Sequence, residues 1–484
     1  MKLGLVRRLV PALALGLVLP SCGVAPASPS VTTSGTCSTL GQVSFVRDAL
    51  QEWYFWYDQL PNPDPARFSS PEAYLEAVRY RPLDTSFSYI ASKAESDAFF
   101  SESQFIGIGI GTKQTSATEL RVAQIFPGSP AKDAGLERGD FLLSINGKAV
   151  SDLLRTGEID TIFGPSQIGV VVALSWRSLR SGDTRVASLV KRAVTIPTVS
   201  VTRVFDVPRG PRVGYVFLRN FVSPSLAALS AAFRELKEAG ADELVLDLRY
   251  NGGGLLSVAQ HLGGLIGGEA TRGEVFVELF HNDKNQSRNS ALRFELPADA
   301  IGFSRLVAIT TRGSASASEG VINGLKPFVA VTLVGETTFG KPVGQYGFDF
   351  CESTLFPVAF ETRNARGEGS FYGGIPADCA AGDDLEHGAR QPPRGLPGGS
   401  TRVPAHRRLH FCCLGGSQGS RRARGPHRPR PAEGGLEAAR GRVLSHPGPA
   451  RCSSSSRRCS SSFVLVVSLL IGLSRCGVLP CCRG

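Results

Sequence analysis

Side chains able to do chemistry fall in three short stretches of this 484-residue chain. In the first, Gly313-Ser314-Ala315-Ser316-Ala317-Ser318-Glu319, small and hydroxyl residues stand directly after an apolar run and directly before a helical pattern. Such a turn exposes a hydroxyl, and the helix start behind it offers unbonded amides and a positive dipole end to a developing oxyanion. Taken alone, the heptapeptide also reads as an ordinary Ser-rich helix cap. The second stretch, Gly335-Glu336-Thr337-Thr338-Phe339-Gly340-Lys341, follows the next apolar run, with Gln345 four residues beyond. A lysine with a pKa of about 10.4 in water accepts a proton at neutral pH only where burial disfavours its charged form. A base role for Lys341 therefore requires a desolvated amine; the alternative is a surface lysine after a turn. The third stretch is Asp247-Leu248-Arg249-Tyr250-Asn251-Gly252-Gly253-Gly254-Leu255-Leu256. Its glycines lack the G-x-G-x-x-G spacing of a dinucleotide site. His261 and His281 are the only histidines before residue 387 and neither has a supporting motif, which argues against a Ser-His-Asp triad. No His/Cys/Asp cluster has ligand spacing, so neither a metal nor another cofactor is expected.

The elements around these stretches predict an α/β layer. Strands are expected at Val213 to Leu218, Glu243 to Leu248, Leu306 to Thr310 and Val329 to Val334. A helix is expected over Ser225 to Ala239, where Leu226, Leu229, Phe233 and Leu236 share one face and Gly240 ends it. Upstream, short apolar runs separated by turn residues (Phe105 to Ile110, Leu120 to Ile125, Phe141 to Ile145, Val170 to Trp176, Arg185 to Val190) predict a β-rich domain. Before that, Val43 to Leu60 carries Phe45, Leu50, Trp53, Tyr54, Trp56 and Tyr57 in helical spacing, the core of a small helical domain, which Pro71 to Tyr80 extends.

The order Phe126-Pro127-Gly128-Ser129-Pro130-Ala131, Ala134-Gly135-Leu136, Gly139-Asp140, Ile145-Asn146-Gly147 resembles a PDZ domain. With the S-A-S-A-S-E, G-E-x-T-F-G-K and D-L-R-Y-N-G-G-G segments, residues 40 to 386 resemble the C-terminal processing (tail-specific) serine peptidases. The resemblance implies a multi-domain α/β fold. Its expected parts are a helical N-terminal domain (37–100), a β-rich PDZ-like domain (101–192) and an α/β Ser/Lys peptidase core of the ClpP/crotonase-like type (193–386). It implies Ser316 as nucleophile, Lys341 as general base and Gln345 as the residue orienting the lysine. It also implies an oxyanion hole from the amides of Ala317 and Gly253, with Gly254 the open alternative to Gly253. Pro342 stands where the family commonly has glycine and removes a backbone donor. Gly107-Ile108-Gly109-Ile110 resembles the PDZ loop whose amides hold a substrate's C-terminal carboxylate while the following strand edge pairs with the peptide. The expected partners are proteins or peptides with free C-termini, cut upstream of an apolar tail. Two function classes stay open at this level: an active endopeptidase, and an inactive PDZ-containing peptide-binding protein.

Lys2, Arg7 and Arg8 followed by the apolar run Leu9 to Leu19 form a secretory signal pattern, so export is expected, to the periplasm or to a membrane. Leu19-Pro20-Ser21-Cys22 resembles a lipobox that would lipidate Cys22; plain secretion is the alternative. An oxidising compartment makes a Cys351 to Cys379 disulfide an expectation, against two unrelated thiols. The net charge of +11 comes from residues 387–484, which hold 17 Arg, no Lys and two acids, so the body is mildly acidic. That segment has no amphipathic period and is expected not to fold. Its composition fits GC-rich coding sequence read out of frame; a basic tail for nucleic acid or anionic lipid is the weaker reading, and no nucleic-acid partner is expected.

Overall fold

The computed structural model describes residues 36–207 and 210–385. The signal segment with Cys22 and the Arg-rich tail lie outside the described residues.

The N-terminal part is built on α1 (Thr39–Trp53) and α2 (Pro71–Val78), capped by Ser38 and Ser70. Val43, Val46, Ala49, Leu50 and Trp53 recur on one face of α1 and are buried. The helix stops at Trp53 rather than running to Leu60. Tyr54 turns extended, its hydroxyl donates to Asp84 (2.9 Å), and the Phe55 amide leaves the helix for the Val358 carbonyl (2.8 Å). The aromatic residues beyond Trp53 therefore pack from a turn. Then come β1 (Tyr89–Ser92) and α3 (Lys93–Glu102).

The second part holds β2 (Gln104–Gly107), β3 (Ile110–Ser116), β4 (Glu119–Ile125), α4 (Pro130–Asp133), β5 (Phe141–Ile145), β6 (Lys148–Ala149), α5 (Val150–Thr156), β7 (Val171–Arg177), β8 (Thr184–Val190) and β9 (Arg192–Thr195). Its main sheet runs β3-β4-β5-β7-β8, so among the described residues β3 is an edge strand with β4 as its one partner there. The run predicted as one strand at Phe105 to Ile110 breaks at Ile108 and Gly109, where Gly109 takes φ +82°, and β2 turns away to pair with β9.

The core is a six-stranded sheet, β10 (Val199–Asp206), β11 (Arg212–Leu218), β12 (Glu243–Asp247), β15 (Arg305–Thr310), β16 (Ala330–Gly335) and β21 (Cys379–Ala380), in that spatial order. All neighbours after β11 pair in parallel. Parallel strands covered on both sides alternate between two cores. Leu244, Leu246, Leu306, Ala308 and Leu333 face α6 (Ser225–Glu238), α7 (Leu256–Gly267) and α8 (Ala317–Leu325), while Val245, Val307, Ile309 and Val334 face the other side. Two smaller sheets complete the core: β13 (Val275–His281) and β14 (Ser290–Arg293) with β17 (Val343–Gln345) and β20 (Val358–Arg363), and β18 (Phe348–Phe350) and β19 (Ser353–Phe356) with β1. Val343, Phe348, Phe350, Leu355 and Val358 share one apolar core with α1 and α2, so the strands after Lys341 are packed onto the N-terminal part.

The disulfide joins Cys37 to Cys351 (Cα to Cα 5.9 Å), not Cys351 to Cys379. Cys351 sits in the turn between β18 and β19, under which α1 packs, and that brings Cys37 beside it. Cys379 lies in a different sheet, in β21 opposite Val334.

Candidate active site

In an open parallel sheet, loops leaving the carboxyl ends of adjacent strands meet at one edge. The strands β12, β15 and β16 are consecutive neighbours. The glycine run leaves β12, the Ser316 turn leaves β15 and the Lys341 loop leaves β16, so three separate segments between Asp247 and Lys341 are brought to one place by strand order alone.

Ser316 stands immediately before α8 with φ +54° and ψ −115°. A non-glycine residue there carries strain of about 1–3 kcal/mol and needs neighbours that hold it. Glu319, fully buried one turn into α8, is the holder. Its Oε2 accepts the amides of both Ser316 (2.9 Å) and Lys341 (2.8 Å), and its Oε1 accepts the Gly340 amide (2.7 Å) and the Thr338 hydroxyl (2.5 Å). The backbone nitrogens of Ser316 and Lys341 are thus no further apart than two hydrogen bonds laid end to end. The Phe339 amide adds a bond to the Ser314 carbonyl (2.9 Å), and the Pro342 carbonyl is held by the Thr362 amide (2.9 Å). Burial pushes the Glu319 carboxyl up, opposed by the hydrogen bonds from Thr338, Lys341, Gly340 and Ser316.

Lys341 Nζ donates to Gln345 Oε1 (2.5 Å). The Gln345 amide is oriented by the carbonyls of Phe87 (2.7 Å) and Phe356 (2.6 Å), both of which take its Nε2. Burial lowers the lysine to about 8 against the pull of Asp84 and Glu319, whose charges favour the ammonium. At pH 7.5 a group of that pKa holds about 200 times more free amine than an ordinary lysine.

Gly253 takes φ +99°, and a Cβ there would lie 2.8 Å from the Ser316 Cβ, the Ala315 carbonyl oxygen and the Ala317 nitrogen. Only glycine lets the loop lie this close to the serine. Its amide donates to Asn251 Oδ1 (3.0 Å), a bond within its own loop. Gly254 bridges Phe221 through the Gly253 carbonyl and the Leu255 amide, and its own amide takes no part in that bridge. The Ala317 amide opens α8, where a helix has no internal acceptor for it. Asn251, Glu319 and the loop at Asp84 to Ser88 were missed in the sequence. Glu319 carried a signal, an acid three residues after a helix-capping serine, which is the capping-box spacing.

His261 bonds Ser230 and His281 bonds Tyr346 and Asn289, away from the serine turn. In the second part, the Ile108 and Gly109 carbonyls are taken by the amides of Ala131 (2.9 Å) and Phe126 (3.1 Å), which fixes the Gly107 to Ile110 loop at the head of the open β3 edge. The same strand carries Lys113, paired with Glu336 (2.5 Å) of the lysine loop. Arg138 reaches Asp383 (2.8 Å), which also meets Arg249 (2.9 Å) and Tyr250 of the glycine stretch.

Residues 212–379 match the model of peptidase family S41, residues 41–89 that of the peptidase S41 N-terminal domain, and residues 121–160 that of a PDZ domain. The chain is 31% identical over 260 residues to the chloroplastic C-terminal processing peptidase of Tetradesmus obliquus, covering 51% of this chain and 53% of that protein. It is 29% identical over 253 residues to the carboxyl-terminal-processing protease of a Synechocystis strain, covering 52% and 56% respectively. The chain spans about half the length of these curated relatives. Among solved structures, a Bacteroides fragilis protein described as an S41 protease aligns with a TM-score of 0.55 at 24% identity, over 70% of this chain and 90% of that one. That likeness is one of fold.

Proposed function

Since the chain belongs to peptidase family S41, we propose that it is an exported serine endopeptidase of the C-terminal processing type, with Ser316 as nucleophile and Lys341 as general base. One observation carries the reading: a buried amine lowered to about 8 shares, through the two backbone bonds to Glu319 Oε2, one support with the serine. The free amine takes the Ser316 Oγ proton as the oxygen attacks the scissile carbonyl. The oxyanion is met by the amides of Ala317 and Gly254. The ammonium, aligned by Gln345, returns its proton to the departing amine. Water then attacks the acyl-serine with Lys341 again as base, and the C–O bond to Ser316 breaks as the ammonium returns that proton to Oγ, releasing the new carboxylate.

The PDZ-like part supplies recognition. The amides of Gly107 to Ile110 receive a substrate's terminal carboxylate, and the open edge of β3 adds the tail as a strand. The Cys37–Cys351 bridge supports an oxidising compartment, in line with the signal pattern and with Cys22 as an anchor site. The test is covalent labelling by a fluorophosphonate: wild type is labelled, while Ser316→Ala and Lys341→Ala are not. Labelling that survives both substitutions overturns the assignment.

A further inference from the structure

The general base is not completed by the peptidase core alone. Gln345 can face Lys341 with its oxygen only because both hydrogens of its Nε2 are taken by carbonyls, one from Phe356 of the core and one from Phe87, in the loop that closes the N-terminal part. Two carbonyls can bond only an NH2, so this pair decides which end of the amide meets the lysine. The Phe87 ring, 5% exposed, stands 5.9 Å from Nζ and packs edge-on against Phe339 (6.0 Å), two residues before the lysine.

The loop itself is held from several directions. Asp84, fully buried, accepts the amides of Phe87 (2.8 Å) and Ser88 (3.0 Å) on Oδ1 and the Tyr54 hydroxyl (2.9 Å) on Oδ2. The Tyr54 oxygen in turn accepts the Tyr80 amide (3.1 Å). Ser88 Oγ accepts the Val358 amide (2.9 Å), which ties the loop to β20. A Phe that merely filled a core would not need its carbonyl aimed and its two flanking amides pinned.

We infer that the Asp84 to Ser88 loop is the roof of the general-base site, with Phe87 a positioning residue that keeps water from the Lys341 amine and fixes Gln345 beneath it. This rests on the Ser/Lys reading above. Two acids face the amine, Asp84 from the loop and Glu319 from α8, and both favour its charged form; Gln345 from β17 is neutral. Exclusion of water under the Phe87 ring is what works against them. The N-terminal part thereby acts in catalysis without touching substrate.

The experiment follows the rate of Ser316 labelling by a fluorophosphonate from pH 6 to 10 in the full chain, with circular dichroism and thermal unfolding alongside. Wild type is expected to rise through a midpoint near 8. Phe87→Ala should move the midpoint upward by about one unit or more, toward free lysine. Its labelling at pH 7.5 should fall about tenfold while the high-pH plateau is nearly kept. Phe87→Leu, which keeps the cover, should restore the wild-type midpoint. A folded Phe87→Ala protein with the wild-type midpoint, or one whose rate falls equally at every pH, overturns the inference. If Phe87→Ala has no thermal transition, Phe87→Val decides by the same midpoint. Should Lys341→Ala keep the wild-type profile, the Ser/Lys reading itself has failed; if Lys341→Ala is silent and Phe87→Ala is unshifted, the roof alone has failed.

Discussion

Replacing Lys341 by methionine should abolish labelling of Ser316 and yet make the protein more stable at neutral pH. The amine falls from 10.5 to about 8 on burial. At about 1.36 kcal/mol per pH unit, keeping it charged in that site costs the folded state about 3 kcal/mol. Methionine fills nearly the same volume without the charge. It also leaves Gln345 Oε1 without its donor, a loss of about 1–2 kcal/mol. The expected net gain at pH 7 is therefore about 1–2 kcal/mol, read as a higher urea midpoint at unchanged slope. The pH dependence has a definite sign. Below about 8 the lysine is protonated in both states and the penalty stands in full. Between 8 and 10.5 the unfolded chain binds the proton and the folded one does not, so wild-type stability rises with pH relative to the mutant. By pH 9.5 wild type should have recovered about 2 kcal/mol, and the advantage of the variant should be gone. A Lys341→Met protein that is less stable than wild type at pH 7, by an amount that does not change up to pH 9.5, would mean that the amine is solvated. The base assignment would then be lost.

Glu319→Gln should reduce labelling at least a hundredfold and lower stability by about 2–4 kcal/mol, because either oxygen it replaces faces two donors and would leave them opposed by an NH2. Equilibrium unfolding and labelling rate together check this, and a variant within threefold of wild type contradicts it. Cys351→Ser should cost about 3–5 kcal/mol, the range for a bridge closing a very long loop, and labelling should fail at lower urea than in wild type; an unchanged midpoint would refute it.

The fold class was legible because its signals are local. Alternating apolar runs marked β11, β12, β15 and β16 to within a residue or so, and the 3.6-residue face of α6 marked its start and end. The motif residues were legible as loops leaving those strands. Other features depend on distant parts of the chain and leave no periodic trace. Tyr54 ended α1 early because its hydroxyl answers Asp84, thirty residues on. The partner of Cys351 depended on α1 lying under the β18–β19 turn, which no spacing of cysteines encodes. The bond from the Gly253 amide to Asn251 Oδ1 likewise joins backbone to side chain within one loop and leaves no periodic trace.

The bridge between Cys37 and Cys351 also sets an order of events. Its two ends are 314 positions apart, so the first helix of the described chain cannot be fastened until nearly the last strand has been made. A ribosome-bound or half-translocated chain would present Ser316 before Cys351 is there to tie α1 in place.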